Sequence, residues 1–279
     1  MYQFFVEPHQ VGQEYISIFG DDVNHIKNVL RMKVGTRIRV SVKSECENIE
    51  DLKTANSFFG MIDKIADEEV IVKIESKDEN GTELSNRIYL FQGLPKGDKM
   101  ELIIQKAVEL GVYQIIPVAM KNCVVKLDDK KAASKIKRWQ AISESAAKQS
   151  KRTIIPEIKM PLSWKLALKE AENLDIVLVP YENERGMQAT REILQNIKQG
   201  QSIGIFVGPE GGFSEEEIES IAPVQVLYEA DAVNKTDTIE TETAEKNTTY
   251  HRISLGRRIL RTETAGLATL SMLVFCLDE

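Results

Sequence analysis

The sequence predicts an α/β protein with a mostly parallel sheet, set behind a smaller β-rich domain, and three observations carry that prediction. From residue 88 onward, short apolar runs alternate with amphipathic segments, as strands covered by helices on both faces do. Residues 1–76 instead hold short apolar runs at close spacing, which suggest a small β-barrel. Between them KDENGTELSN (77–86) is polar, contains Asn80-Gly81 and lacks an apolar period, so it reads as a linker, and residues 87–279 form the second domain.

In the first domain the expected strands are 4–6, 15–18, 37–42, 58–65 and 69–76, with one helix near 21–31. The second opens with the strand IYLFQGL (88–94). The helix after it starts at Asp98, gathers Met100, Ile103, Ile104, Ala107 and Leu110 on one face, and stops at Gly111. YQIIPVAM (113–120) is the next strand. A basic helix over 130–150 follows, with Trp139 and Ile142 on its apolar side. Helix 164–171, strand 175–180, helix 187–197 and strand 202–207 continue the alternation. AGLATLSMLVFCL (265–277) is too short to span a membrane and reads as a buried core helix. One segment, 228–252, is rich in Thr, Glu and Asn and can bury little, so it reads as a mobile surface insertion.

Composition narrows the chemistry. Cys46, Cys123 and Cys276 are too few and too scattered for a disulfide framework or a Cys-x-x-Cys metal site. His9, His25 and His251 lack ligand spacing, so no metal is expected. MYQFFVEPHQ has no basic start followed by an apolar stretch, and a cytoplasmic protein with no membrane association is the expectation. Net charge is −7, yet residues 90–170 hold 16 Lys+Arg against 8 Asp+Glu. A local basic patch of that kind can still hold RNA, because phosphate attraction is screened beyond roughly 10 Å at ordinary salt.

The stretch IGIFVGPEGGFSEEEIESI (203–221) has the form of strand, glycine turn and helix start, with Ser214 and Glu217 as a capping box. Such a turn often cradles phosphate. Here Glu210, Glu215, Glu216 and Glu217 surround it without a lysine or arginine, and neither the Walker nor the dinucleotide glycine spacing is present. The ligand expected is neutral or cationic. In a parallel sheet ligands gather at the carboxyl ends of strands, which singles out PYENERG (180–186), GPEGG (208–212) and SLGRRILRTETAG (254–266).

With HIKNVLRMKVG (25–35), GLPKGDKMELIIQKAVELGV (93–112), RWQAISESAAKQSKRTIIPEI (138–158), and the two glycine-bearing motifs, the chain resembles the bacterial small-subunit (16S) ribosomal RNA uridine-N3 methyltransferases of the SPOUT superfamily. The resemblance implies a PUA-like barrel over 1–76 and a trefoil-knotted α/β domain over 87–279. It implies S-adenosylmethionine as cofactor, N3 of one uridine in the decoding region of 16S rRNA as target, and a homodimer. The cofactor would lie among Leu178, Pro180 and Tyr181; Gly208, Pro209, Glu210, Gly211 and Gly212; and Leu255, Gly256, Ile259, Leu260 and Ala265. S-adenosylmethionine is a sulfonium cation without phosphate, which suits an acidic glycine loop.

Uridine N3 is a poor nucleophile until its proton leaves, so charge stabilisation and a base or its equivalent are needed. Arg261 is expected to stabilise charge on the uracil oxygens. Glu263 is expected either to accept the proton or to orient its neighbours, and both residues could instead simply brace the turn. RNA contacts are expected at Arg31 and Lys33 in the first domain and at Arg138, Gln149 and Arg152 along the basic helix. Two other readings stay open: a noncatalytic RNA-binding dimeric scaffold, and an enzyme of the same superfamily acting on another RNA nucleoside. A degenerate phosphate loop at GLPKGDK (93–99) is the least favoured, since its spacing is wrong and Asp98 reads as a helix cap.

Overall fold

A computed structural model describes residues 1–43, 57–79, 81–221 and 248–278. The first domain contains β1 (Gln3–Val6), β2 (Tyr15–Phe19), β3 (Arg37–Val42), β4 (Ser57–Ile65) and β5 (Glu69–Lys77). They form one five-stranded sheet in the order β1-β3-β4-β5-β2, antiparallel except for β1 with β3. Alternation decides its faces: Ile16 and Ile18, and Val70 and Val72, point to a core completed by Phe4, Val40 and Ile62. The expected helix near 21–31 is a short α1 (Asp21–Asn24) that runs into a π-type turn, His25–Val29, and buries Val23 and Ile26.

The second domain runs β6 (Arg87–Gly93), α2 (Lys99–Glu109), β7 (Gln114–Ala119), α3 (Asp129–Ser150), β8 (Glu157–Ile158), β9 (Leu162–Ser163) and α4 (Trp164–Ala171). It continues with β10 (Ile176–Pro180), α5 (Gln188–Gln195), β11 (Ser202–Val207), α6 (Glu215–Ser220), β12 (Thr249–Ile253) and α7 (Thr262–Leu277). The sheet order is β12-β10-β11-β6-β7-β8, with β9 also on β7, and every pair is parallel. Continuous apolar runs such as Ile203 to Val207 suit strands buried on both faces, broken only by Gly204, whose missing Cβ leaves room for Leu174 and Phe91. Phe91 and Phe206 stack at 4.3 Å between neighbouring central strands.

Three expectations change. Residues 249–252 are not loop: with Ile253 they form β12, registered on β10 from Ile176 opposite Thr249 to Pro180 opposite Ile253. The Thr/Glu/Asn-rich composition upstream hides the short β-prone run TYHRI. The rest of the expected insertion, 228–247, lies outside the described residues, as does Cys46. The C-terminal helix α7 buries Gly266, Thr269, Leu270, Leu273 and Leu277, but its other face is open, with Phe275 89% exposed.

The segment 77–86 is anchored rather than slack. Glu83 and Arg152 form a buried ion pair, and Glu83 also accepts from the Thr153 amide at 2.8 Å. Leu84 joins the large core. Asn86 donates to the carbonyls of Lys198 and Gln201. Polar residues can be buried when they are hydrogen-bonded, so a polar linking segment can still be anchored.

The same junction fixes the two domains against each other. α3 begins at Asp128, whose side chain accepts from the Lys131 amide, and ends at Lys151 with φ +65°, a left-handed cap. That turn aims the Lys151 carbonyl outward to Arg39 Nη1 and Thr82 Oγ1. Arg39 also pairs with Asp78, Gln3 donates to the Arg152 carbonyl, and Lys148 pairs with Asp22 at 3.0 Å.

Candidate active site

Sheet order brings the three loops together. β10 lies between β11 and β12, so the chain segments leaving their carboxyl ends meet over one edge of the sheet. A cleft opens there. Pro180 and Tyr181 form one wall, and the Tyr181 amide bonds the Ile253 carbonyl at 3.1 Å. Gly208, Pro209 and Gly212 form the second. Leu255, Gly256, Ile259 and Leu260, with Ala265 from α7, form the third.

Two glycines are required by shape. A Cβ on Gly208 would sit 3.1 Å from the backbone of Gly212, and Gly212 itself has φ +65°. A third acts from behind: a Cβ on Gly93, at the end of β6, would meet Pro209 N at 2.7 Å and its ring at 2.8 Å. The glycine loop therefore rests directly on β6.

Buried hydrogen bonds hold the walls. Thr262, at the start of α7, donates to the Gly208 carbonyl at 2.6 Å and accepts from Gln92 Nε2 at 2.9 Å. One hydroxyl thus joins the second wall, the third wall and β6. Across the cleft, Thr190 Oγ1 donates to the Ser254 carbonyl at 3.1 Å and accepts from the Ser254 amide at 3.0 Å. The third loop is pinned at its base before Gly256, at φ +101°, turns it outward.

Three residues expected at the cofactor do not line the cleft. Leu178 is fully buried inside β10, where strand alternation sends its side chain into the core. Glu210 points away toward α2, accepting from the Lys96 amide at 3.1 Å and pairing with Lys99 at 2.8 Å. Gly211 faces Asn122, whose Nδ2 donates to its carbonyl at 3.0 Å. Conversely, Glu182, Arg185, Val207, Phe213, Arg257 and Arg258 line the cleft and were not singled out. Arg257 and Arg258 sit inside the motif SLGRRILRTETAG, where the glycine drew attention first.

Arg261 and Glu263 flank Thr262 at the start of α7; Thr262 lines the cleft and they do not. Arg261 is 82% exposed on its side chain and lies 4.0 Å from Glu263. Glu263 is only 17% exposed and lies 3.4 Å from Lys99 Nζ. Lys99 thus bridges Glu210 on the loop and Glu263 on α7. The hydrogen bond to Glu210 is the main reason the Lys99 amine is held above its ordinary range, with Glu263 adding to it. For Glu210 burial works the other way, but the Lys99 contact and backbone donors outweigh it and keep the carboxyl low.

The expected RNA contacts divide. Arg31, Lys33 and Gln149 are exposed, and Arg31 has φ +50°. Arg138 is exposed with one contact, to Glu101 at 2.8 Å. Arg152 is not available: its side chain is 4% exposed and is spent on Glu83 and on the Val108 and Val112 carbonyls. Among the described residues no cluster of three His, Cys, Asp or Glu could hold a metal, and no helix is long and apolar enough to cross a membrane.

Comparison with known proteins bears on this arrangement. A family model described as an RNA methyltransferase domain matches residues 82–226, and one described as an RNA methyltransferase PUA domain matches residues 19–45. The ribosomal RNA small subunit methyltransferase E of Bacillus subtilis is 36% identical over 99% of this chain and 96% of its own. That of Mesomycoplasma hyopneumoniae is 32% identical, over 97% and 98%. A putative methyltransferase from Legionella pneumophila, solved with the bound cofactor SAM, superposes with TM-score 0.72 at 28% identity, covering 98% of this chain and 97% of its own. The ribosomal RNA small subunit methyltransferase E of Neisseria gonorrhoeae, solved bound to S-adenosyl methionine, gives TM-score 0.72 at 25% identity, covering 99% and 98%. With its PUA-like first domain, its parallel α/β second domain and full-length relatives of this kind, the chain belongs to the ribosomal RNA small subunit methyltransferase E family of RNA methyltransferases.

Proposed function

We propose that the protein methylates N3 of a specific uridine in the decoding region of 16S rRNA, using S-adenosylmethionine, and that it works as a cytoplasmic homodimer. The observation that carries this reading is the cleft of three loops at the carboxyl ends of β10, β11 and β12, where glycines keep backbone close to any occupant. The residues fit the cofactor: backbone from Gly208, Pro209, Leu255 and Gly256 can meet a nucleoside, and the apolar Val207, Leu260 and Ala265 can cover it. Glu182 is the carboxylate in the lining, suited to a cation. Relatives solved with this cofactor support the assignment.

When bound, the cofactor supplies a methyl group on a positively charged sulfur. The walls hold it in place, and positioning of the acceptor nitrogen against it supplies much of the acceleration. Arg261, exposed next to the cleft-lining Thr262, stabilises the negative charge that uracil gathers as N3 loses its proton to solvent. Glu263 orients Arg261 and Lys99, which fits its low exposure and its contacts better than a role as proton acceptor. The passage from β12 through the loop 254–261 into α7 is read as part of the trefoil knot, and the open face of α7 as part of the dimer contact.

The test is calorimetry with S-adenosylmethionine, with ATP as control, on the wild type and Gly208→Trp, followed by mapping of methylated uridine on small-subunit RNA. Binding confined to S-adenosylmethionine and lost in the variant is expected. A folded protein that binds no S-adenosylmethionine would sink the enzyme reading, and a methyl group on another nucleoside would sink the uridine assignment.

A further inference from the structure

The cleft has a mouth whose charge does not suit the proposed cofactor. Arg185 comes from the loop after β10, and Arg257 and Arg258 follow Gly256 in the loop after β12. All three are exposed, and among the described residues none has a carboxylate or hydrogen-bond partner. Arg37 pairs with Glu75 at 2.7 Å and Arg138 with Glu101 at 2.8 Å, and Arg31 and Arg191 are exposed singly, so what sets these three apart is that they gather on one cleft. Against these three guanidiniums the lining offers one carboxylate, Glu182, an excess of two positive charges. S-adenosylmethionine carries a sulfonium, an ammonium and one carboxylate, so it is itself net positive. Its single carboxylate can occupy one arginine at most.

We infer that Arg185, Arg257 and Arg258 grip backbone phosphates of the RNA strand beside the nucleotide being methylated, rather than the cofactor. This inference rests on the cofactor reading of the cleft. Guanidinium is suited to the task, since its planar fork matches two phosphate oxygens at once. Geometry helps as well: the loop carrying Arg257 and Arg258 is tied at Ser254 to Thr190 on both its amide and its carbonyl, so its base needs little further ordering when RNA arrives. Phosphates seated there also cancel the excess charge at the mouth. RNA and the cationic cofactor should therefore bind with positive coupling, each favouring the other to the same degree.

The test compares the wild type, Arg257→Ala/Arg258→Ala and Arg257→Lys/Arg258→Lys. Binding of single-stranded oligouridylate is measured across a salt series, and S-adenosylmethionine affinity with and without that RNA. Loss of two phosphate contacts should flatten the plot of log affinity against log salt by about 1.4, at about 0.7 per phosphate on a single strand. The lysine variant should restore the slope. S-adenosylmethionine affinity without RNA should stay level or rise in the alanine variant, while its enhancement by RNA should shrink. An unchanged salt slope, or a collapse of cofactor affinity in the absence of RNA, overturns the inference and gives the arginines to the cofactor. A wild type that binds RNA with the expected slope but no S-adenosylmethionine would instead defeat the cofactor reading and leave the phosphate grip standing.

Discussion

Two ionic clusters in this molecule both pair glutamate with a basic side chain, and they do opposite things. At the domain junction Glu83 and Arg152 are almost wholly buried, with side chains 2% and 4% exposed, and Glu83 is further bonded by Thr153 and Ile154. Beside the glycine loop, Lys99 reaches Glu210 and Glu263 with its own side chain 31% exposed. The first cluster has no room to rearrange, because losing either partner strands a charge away from water. The second stays in contact with solvent, so its contacts can be exchanged at little cost. Burial separates a structural rivet from an adjustable tie.

Mutation at the junction should give the largest effect. Arg152→Ala leaves Glu83 buried without its cation and should cost roughly 3–5 kcal/mol, read from the denaturant midpoint. The pH dependence follows from the Glu83 carboxyl. Burial alone would raise it, but the charge and hydrogen bonds of Arg152, with the Thr153 and Ile154 amides, outweigh burial and hold it low. A lowered folded value means the stabilisation is complete above the unfolded carboxyl value of about 4.3 and is lost as pH falls through the lower folded value. Wild type and Glu83→Gln should therefore differ most near neutrality and converge in acid; a gap that widens on acidification would contradict the comparison.

Next in size is Thr262→Val. It keeps the shape but leaves the Gly208 carbonyl and the Gln92 amide without their shared hydroxyl, and should cost about 1–3 kcal/mol. Because that hydroxyl joins two walls, cofactor affinity should fall with stability.

Lys99→Met is the sharper probe of the adjustable cluster. Thermal stability should hardly move, while affinity for S-adenosylmethionine or turnover falls, since the glycine loop and α7 lose one of their ties and keep the other, Thr262 to Gly208. Lys99→Arg should restore most of it. A melting temperature that drops as far as in Arg152→Ala would show the two clusters to be of one kind. Smallest of all, Arg138→Ala removes one exposed pair with Glu101 and should change stability by no more than about 1 kcal/mol. Its RNA affinity then reports phosphate contact uncomplicated by folding.

The periodic parts of the fold were legible in the sequence. Strands 37–42 and 202–207 and helix 164–171 coincide with β3, β11 and α4 to the residue, because apolar period and end signals agree there. So were the three loops, since glycines after buried strands announce backbone that must come close to something. Direction of side chains was not legible. Arg152 reads as an RNA contact on the basic helix, yet the left-handed turn at Lys151 sends the next residue inward, and Arg152 becomes core. Glu210 lies within the glycine motif but faces Lys99, a partner 111 positions away in the chain. Arg257 and Arg258 were visible as letters, but only sheet order places them opposite Arg185.

The position of β12 has a temporal meaning. Its pairing with β10 closes a long stretch of chain, shown by the Thr249 hydroxyl bonding the Asp175 carbonyl 74 positions back. Such pairings form late, because loop-closure entropy must be met before the contact rewards it. The strand also leads directly into the third wall, which is synthesised after the other two. A chain still emerging from the ribosome has the first two walls and the barrel domain, but no enclosed cleft. The cleft is enclosed only once the segment from β12 into α7 has been made and has docked.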